Sequence, residues 1–193
     1  MYRGKGRPPK PVSRATELAR RGQSRAELRS AVASGELIRR GRGLYVSTSS
    51  TPTAYRSLVE ASVAVPRGVV CLLSALRFHE VGTQSPYEVW VAIDVKGWKS
   101  RTELPIHFVR FSGRALTFGV DVHEVEGVKV RVTSIAKTVA DCFKYRNKIG
   151  VDVAVEALRD VHQRRLATVD QIMKAAAICR VANVMRPYVE ALS

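Results

Sequence analysis

The start of the chain alternates short amphipathic segments with glycines, a pattern that predicts small helices separated by tight turns. Ser13 has the residue type of a helix cap, and the first helix is predicted to run from there to about Arg21. Leu18 and Ala19 are expected to face inward. Gly22 supplies the left-handed conformation in which many helices end.

The next segment carries a stronger helix signal. Ser24 and Glu27 have the spacing of a capping box, in which each residue's side chain satisfies the backbone N–H of the other. The helix that they open is predicted to run to about Ser34, with Leu28 and Val32 on its buried face. Two helices joined by so short a turn indicate a helix-turn-helix, and the second is the candidate recognition helix.

A basic hairpin is predicted immediately after these helices. Residues 37–38 and 44–46 are short apolar strand candidates, and the stretch between them holds three arginines and two glycines. This order is typical of a winged helix, whose hairpin forms the wing. The residues of this region expected to reach bases or phosphates are Gln23, Ser24, Arg25, Arg29, Arg39, Arg40, Arg42 and Tyr45.

The remainder of the chain predicts an α+β domain after a polar linker at residues 48–53. Helices are expected at residues 54–65 and 68–81, a half-buried strand at 87–95, a second strand at 106–111, and a hairpin formed by 120–125 and 128–132. The apolar stripes that predict further helices are Ile135, Val139 and Phe143; Val151, Val155 and Leu158; a helix opened by a Thr168–Gln171 capping box; and Met185, Tyr188, Val189 and Leu192.

These patterns divide the chain into an arm at residues 1–12, a winged helix-turn-helix at 13–47, the linker, and a C-terminal domain at 54–193. The fold class expected is α+β: an N-terminal winged helix-turn-helix, then a domain with a small antiparallel sheet and a helical bundle.

The net charge of the chain indicates what kind of partner it binds. The formal net charge is +15, and residues 1–50 hold 12 Lys and Arg against three acidic residues. Such an excess predicts a polyanionic partner, with nucleic acid ahead of an anionic membrane surface. The apolar run at residues 69–76 is far too short to span a bilayer. Double-stranded DNA is therefore the expected partner, because each neutralised phosphate releases counterions.

The arm itself resembles an AT-hook, whose core is a basic residue followed by Gly, Arg and Pro. Glycine lets an extended backbone lie in a narrow minor groove, where flanking cations meet a strong negative potential. The copy departs from the usual core by a lysine in place of the first arginine. A basic tail that binds phosphates without base preference is the open alternative. The arm residues expected to contact DNA are Arg3, Lys5, Gly6, Arg7, Pro8 and Lys10.

Catalytic and metal chemistry has little support in the sequence. Three widely spaced cysteines predict reduced thiols in a cytoplasmic protein, and no cofactor or metal site is expected. The best enzymatic alternative is a metal-dependent nuclease built on Asp94 and Lys96 at a strand end, with Glu80 or Glu88 as the second carboxylate. Asp141 is expected to have a structural role, paired with Arg131 or Lys137.

Four stretches give the chain a resemblance to a known family. They are residues 20–25 with 35–45, residues 73–76 with His79, residues 128–143, and residues 154–159. In order and spacing these resemble the AbiEi-type antitoxins of type IV toxin–antitoxin systems. The resemblance covers roughly residues 14–192. It implies a winged helix joined to an α+β domain, in a bacterial DNA-binding protein that is not an enzyme.

The resemblance also implies a biological role and partners. Such proteins repress their own operon and oppose a nucleotidyltransferase-like toxin without a tight complex. The operator is expected to be an inverted repeat with A·T-rich flanks, bound by two copies in the cytoplasm at the nucleoid. The family usually has a helix before the helix-turn-helix, and here the basic arm takes its place. Lys129 and Arg131 are candidates for secondary contacts to the DNA backbone.

Overall fold

A computed structural model describes residues 10–97, 99 and 102–192 of the chain. The N-terminal part runs strand, helix, tight turn, helix and hairpin, which confirms the predicted order of helices and hairpin. Its elements are β1 (Val12–Arg14), α1 (Ala15–Arg20), α2 (Arg25–Ala33), β2 (Leu37–Gly41) and β3 (Leu44–Ser47).

The prediction for the first helix was wrong at its beginning. Ser13 lies in β1 opposite Tyr45 and caps nothing, and the residue before α1 is Arg14, whose side chain makes no cap. A strand of three residues carries too little periodicity to be recognised in sequence. Ala19 and Val32 are exposed and not inward-facing as predicted, because Leu18 and Leu28 alone fill the buried side of these short helices.

Strands β1, β3 and β2 form a small antiparallel sheet in that order. Val12, Val46 and Ile38 stand side by side on one face of it. Val12 and Val46 are buried in a core that this sheet shares with the following helix, α3 (Arg56–Ala64). Ile38, on the edge strand, is 44% exposed.

The second sheet is mixed, and the predicted antiparallel sheet was wrong. Its strands are β4 (Val69–Val70), β5 (Val89–Asp94), β6 (Ile106–Phe111), β7 (Val120–Val125) and β8 (Val128–Thr133), in the order β6-β5-β4-β8-β7. The pairs β5–β6 and β4–β8 are parallel, whereas β4–β5 and β7–β8 are antiparallel. Parallel pairs need long connections, so short-range turn signals do not reveal them.

Two boundaries in this sheet differ from prediction. The segment predicted as one helix from residue 68 begins instead with β4, and α4 follows at Leu72–Phe78. Strand β5 is shorter than predicted because Tyr87 and Val95 lie outside it and are exposed. Strand β6 and the β7–β8 hairpin are confirmed.

Helices cover the face of this sheet that is opposite α3. They are α5 (Arg114–Thr117), α6 (Ile135–Lys144), α7 (Arg146–Ile149), α8 (Val151–Gln163), α9 (Val169–Cys179) and α10 (Ala182–Glu190). Phe143, Leu158, Ile172 and Met185 form the centre of their core with α4 and the sheet. The Thr168–Gln171 capping box is confirmed. Val151 was wrongly placed in the core stripe, because it begins α8 and is 45% exposed.

Helix α3 lies between the two sheets and joins them. Its residue Val59 is fully buried, and the same core includes Val12 from the small sheet and Val130 from the large one. Residues 48–53 are held in place: Arg56 donates to Ser50 and Thr51, and its guanidinium pairs with Glu126 at 2.8 Å. No helix within the described ranges is long and apolar enough to cross a membrane.

Candidate nucleic-acid interface

Helix α2 begins with a complete capping box. Ser24 Oγ accepts from the Glu27 N–H at 3.2 Å, and the Ser24 N–H donates to Glu27 Oε2 at 2.6 Å. The Ser24 N–H bond to the carboxylate lowers the pKa of Glu27 below its ordinary value, and the Ser24 hydroxyl adds to that effect. The first turn of α2 is therefore held in place, and with it the direction in which the helix projects.

The outward face of α2 combines arginines with short side chains. Arg25 and Arg29 are exposed and one helical turn apart, whereas Leu28 is buried beneath them. Ala26 and Ser30 flank them on the same exposed side. Short side chains let a helix approach a groove closely, and arginine can donate two hydrogen bonds to a guanine edge or to a phosphate.

The hairpin after α2 places two of the predicted arginines near its turn. Arg42 is exposed in the turn, between Gly41 and Gly43, both of which have positive φ angles that favour glycine. Arg39 donates from Nε to the Gly41 carbonyl at 3.3 Å, a bond that orients its side chain along the strand. These two cations extend the basic surface of α2 onto the wing.

Arg40 has a different environment from its neighbours. Its Nε lies 3.9 Å from Glu60 Oε1 in α3, and the Glu60 carboxylate is nearly buried. Burial raises the pKa of Glu60, and the positive charges of Arg40 and Arg56 oppose that rise. Arg40 therefore faces α3, and its charge is partly used within the protein.

Two further predicted residues are partly buried. Tyr45 lies in the central strand β3 between Ser13 and Arg39. Gln23 immediately precedes the capping box, and its Oε1 is buried with no hydrogen-bond partner among the residues described. A buried carbonyl without a donor costs about 1–3 kcal/mol, so Gln23 would gain from a donor supplied by water or a ligand.

The remaining predicted contacts are divided between the arm and the second sheet. Lys10 pairs with Glu17 of α1 at 3.2 Å. The arm residues Arg3, Lys5, Gly6, Arg7 and Pro8 lie outside the described residues. Lys129 is exposed on β8, and Arg131, two residues on, donates to the Arg67 carbonyl at 3.1 Å. Within the described residues, no hydrogen bond or ion pair links Lys129 or Arg131 to α2.

Sequence reasoning missed Arg14. It donates to the carbonyl oxygens of Val63 and Ala64 at the end of α3, both at 2.6 Å. The preceding residue, Ser13, was predicted to cap a helix. Strand β1, which directs Arg14 toward α3, was therefore not recognised. No signal within the sequence indicates this partner 50 residues away.

The residues of the nuclease alternative lie apart. Asp94 ends β5 and accepts the N–H of Lys96 at 2.8 Å, an ordinary turn contact. Glu88 precedes the other end of the same strand, roughly 20 Å away at about 3.3 Å per residue. Glu80 follows α4 and is exposed. Within the described residues no group of three or more His, Cys, Asp or Glu side chains could hold a metal ion.

The segment that contains α1, α2 and the wing is similar to a known family. A search among curated proteins found no match for the chain. Residues 10–48 match the family described as "Transcriptional regulator, AbiEi antitoxin", so the predicted resemblance to the AbiEi antitoxins is confirmed over that stretch.

Proposed function

We propose that the protein is a DNA-binding transcriptional repressor and the antitoxin of a type IV toxin–antitoxin operon. One observation carries the proposal. Within the segment that matches the AbiEi regulators, a capped helix exposes Arg25 and Arg29 beside a wing that exposes Arg42. A helix-turn-helix followed by such a hairpin places its second helix in the major groove and its wing along the backbone.

The contacts divide by what they can recognise. Arg25, Arg29 and Ser24 stand at the N-terminal half of α2, from which a recognition helix reads base edges. Arg39 and Arg42 of the wing neutralise phosphates, with Gln23 and Tyr45 as supporting contacts. The arm residues 1–10 enter the adjacent minor groove, which favours A·T-rich flanks. Lys129 and Arg131 supply secondary backbone contacts, and Arg40 contributes least because it faces Glu60.

The proposal retains the division of the chain into an arm, a winged helix, a connection at 48–53 and a C-terminal domain. The shared core around α3 gives the two larger parts a rigid relation. Two copies on an inverted repeat would then hold their recognition helices at a set spacing. The C-terminal domain opposes a nucleotidyltransferase-like toxin without a tight complex, and the protein acts at the nucleoid in the bacterial cytoplasm.

The test uses the DNA that lies upstream of the protein's own reading frame as the probe. Footprinting should show protection there, and fluorescence anisotropy should show affinity that falls steeply with salt. Arg29→Ala is expected to weaken operator binding by about 1–3 kcal/mol if the side chain reads a base. Arg186→Ala, an exposed arginine on α10, is the matched control and should bind as the wild type does.

Two outcomes separate the parts of the proposal. Equal weakening by Arg29→Ala on operator and random DNA would assign Arg29 to phosphate contact alone. Absence of salt-sensitive binding to any duplex, including the protein's own promoter, would overturn the DNA-binding function. The antitoxin role is tested by co-expression with the adjacent gene, whose toxicity the protein should suppress, with the Arg29→Ala variant retaining that suppression.

A further inference from the structure

A second basic surface lies at the edge of the five-stranded sheet, outside the segment that matches the AbiEi regulators. Strand β6 ends the sheet on this side, and a cleft of about 310 Å³ opens along it. Its main lining residues come from β5, β6 and the region of α7. They are Trp90, His107, Phe108, Arg110, Tyr145 and Lys148.

An aromatic stack forms one wall of this cleft. The parallel register of β5 and β6 sets Trp90 beside His107, and their ring centroids are 3.9 Å apart with an angle of 22° between the planes. Trp90 packs against the core, and the His107 side chain is 42% exposed. Glu88 Oε2 lies 3.3 Å from His107 Nδ1 and fixes the orientation of the ring. The stack therefore offers a flat aromatic surface to a further ring.

Two cations lie on opposite faces of the edge strand. Arg110 projects from the face of β6 opposite His107, where its Nη1 donates to the carbonyl oxygens of Asp94, Val95 and Gly97 at 3.1, 2.6 and 3.0 Å. Lys148 Nζ lies 5.6 Å from the centroid of Tyr145. Among the described residues, neither cation has a carboxylate within 4 Å.

Tyr145 lies on the same side of the sheet as the stack, beneath Lys148. Its hydroxyl donates to the Arg110 carbonyl at 2.8 Å, and its ring stacks on Phe111 at 5.5 Å. Burial raises the pKa of Tyr145 to about 12, with the charge of Asp141 next in effect, so the hydroxyl stays neutral. On the face that carries the stack, the cleft thus presents a flat ring, a neutral hydroxyl and the ammonium group of Lys148.

We propose that this cleft binds a nucleoside phosphate, with the base stacked on the exposed face of His107 and the phosphate at Lys148. Its volume is at the lower end of the about 300–1,000 Å³ that small-ligand pockets span, which suits a single nucleotide. The nucleotide is either free or an unpaired residue of a single strand. A paired base is excluded because its faces are covered within the duplex.

The site is independent of the proposed operator contacts, since none of its residues lies in α1, α2 or the wing. Binding is measured by the fluorescence of Trp90 in a Trp98→Phe background, because the chain has two tryptophans. The probes are AMP, adenosine, inorganic phosphate, a short single-stranded oligonucleotide and the same sequence as a blunt duplex. AMP is expected to give a saturable change, at concentrations about tenfold lower than adenosine or phosphate requires.

Variants test whether the cleft is the site. His107→Ala and Lys148→Ala should each weaken AMP binding by about tenfold or more. Lys144→Ala removes an exposed lysine one helical turn away that does not line the cleft, and should leave binding unchanged. Melting temperature and operator affinity confirm that each variant is folded, and they should match those of the wild type.

The probes also distinguish the source of the ligand. Similar affinities for AMP and the oligonucleotide indicate a free nucleotide, whereas an oligonucleotide that binds much more tightly indicates an unpaired residue of a strand. The proposal is overturned if neither probe gives a saturable change below about 1 mM. It is equally overturned if the duplex matches the single strand, or if Lys148→Ala binds AMP as Lys144→Ala does.

Discussion

Arg14 of the first strand donates from Nη2 to the carbonyl oxygen of Ala64 at 2.6 Å, and so caps the end of helix α3. A second bond joins its Nε to the carbonyl of Val63 at the same distance. The last turn of α3 has no basic residue of its own. A cation at a helix C-terminus satisfies free carbonyls and offsets the helix dipole, and here that cation comes from the segment that matches the AbiEi regulators.

Arg14→Ala is expected to lower the free energy of unfolding by about 1.5–3 kcal/mol, because hydrogen bonds from a charged donor to partly buried carbonyls are lost. Urea denaturation checks this. Arg21→Ala is the control, since Arg21 pairs with Glu17 on the surface, where an i,i+4 pair contributes about 0.3–0.5 kcal/mol. Equal losses in the two variants would show that the α3 cap contributes no more than a surface ion pair.

The capping box predicts a link between stability and recognition. Ser24→Ala removes the oxygen that accepts the Glu27 N–H, and should destabilise the protein by about 0.5–2 kcal/mol. Because the first turn of α2 carries Arg25, operator affinity should fall as well. Thr168→Ala removes the equivalent cap of α9 and is the matched control. It should lose similar stability but keep operator affinity, and a loss of affinity there would contradict the link.

The sequence was most informative where a structural signal spans few residues. Both capping boxes, the wing and the β7–β8 hairpin were recognised because the residues that define them lie within about ten positions of each other. Asp141 was expected to pair with Arg131 or Lys137, and its partner is Lys137, one helical turn before it.

The sequence could not indicate the contacts between elements that are far apart in the chain. Strand β4 has two residues and joins β5 and β8, which are far from it in the chain. The parallel pairing of β5 with β6 creates the contact between Trp90 and His107, and nothing local indicates it. Arg40 was grouped with the wing arginines by position alone, whereas the bulge between Arg39 and Gly41 accompanies its contact with Glu60.

The ion pair between Lys137 and Asp141 of α6 is buried in the core. Lys137 Nζ donates to both carboxylate oxygens, at 2.6 Å to Oδ2, and lies 4.7 Å from the ring centroid of Phe111. Burial raises the pKa of Asp141 to about 6, and the Lys137 charge opposes the rise. Cys179 Sγ donates to the same carboxylate at 3.3 Å.

Removing one partner of this pair should cost more than removing both. Asp141→Asn is expected to lose about 3–5 kcal/mol of stability, because Lys137 then has no buried counter-charge. The double variant Lys137→Met, Asp141→Leu should lose clearly less, since an apolar pair of similar volume carries no desolvation penalty. Urea denaturation of Lys137→Met, Asp141→Leu and the double variant completes the cycle. Additive losses would mean that the charges are not coupled.

The three cysteines are expected to be unreactive while the protein is folded. Cys71, Cys142 and Cys179 are buried, and burial raises the pKa of each thiol, that of Cys179 to about 12. The thiolate is the reactive form, so iodoacetamide at neutral pH should modify none of them in the native protein and all three in urea. Mass spectrometry counts the adducts. Rapid labelling of Cys179 without denaturant would show that the α9 packing opens readily.

His79 should make the stability of the protein depend on pH in mild acid. Burial lowers the pKa of His79 below its ordinary value of 6.5; the Thr133 carbonyl and Asp121 oppose the shift, and His123 adds to it. The unfolded chain therefore takes up a proton near pH 6.5 that the folded protein resists. Stability from this group is present above that pH and is lost as the pH falls through 6.5 toward the lowered value.

His79→Gln isolates this effect, because glutamine can still donate to the Thr133 carbonyl but does not titrate. The free energy of unfolding is measured by urea at several pH values between about 7.5 and 5.5 for both proteins. The wild type should lose stability relative to the variant as the pH falls. Asp141 titrates in the same range but is common to both proteins, so the difference between the two curves reports on His79. Parallel curves would show that His79 takes up its proton as readily in the folded state as in the unfolded chain.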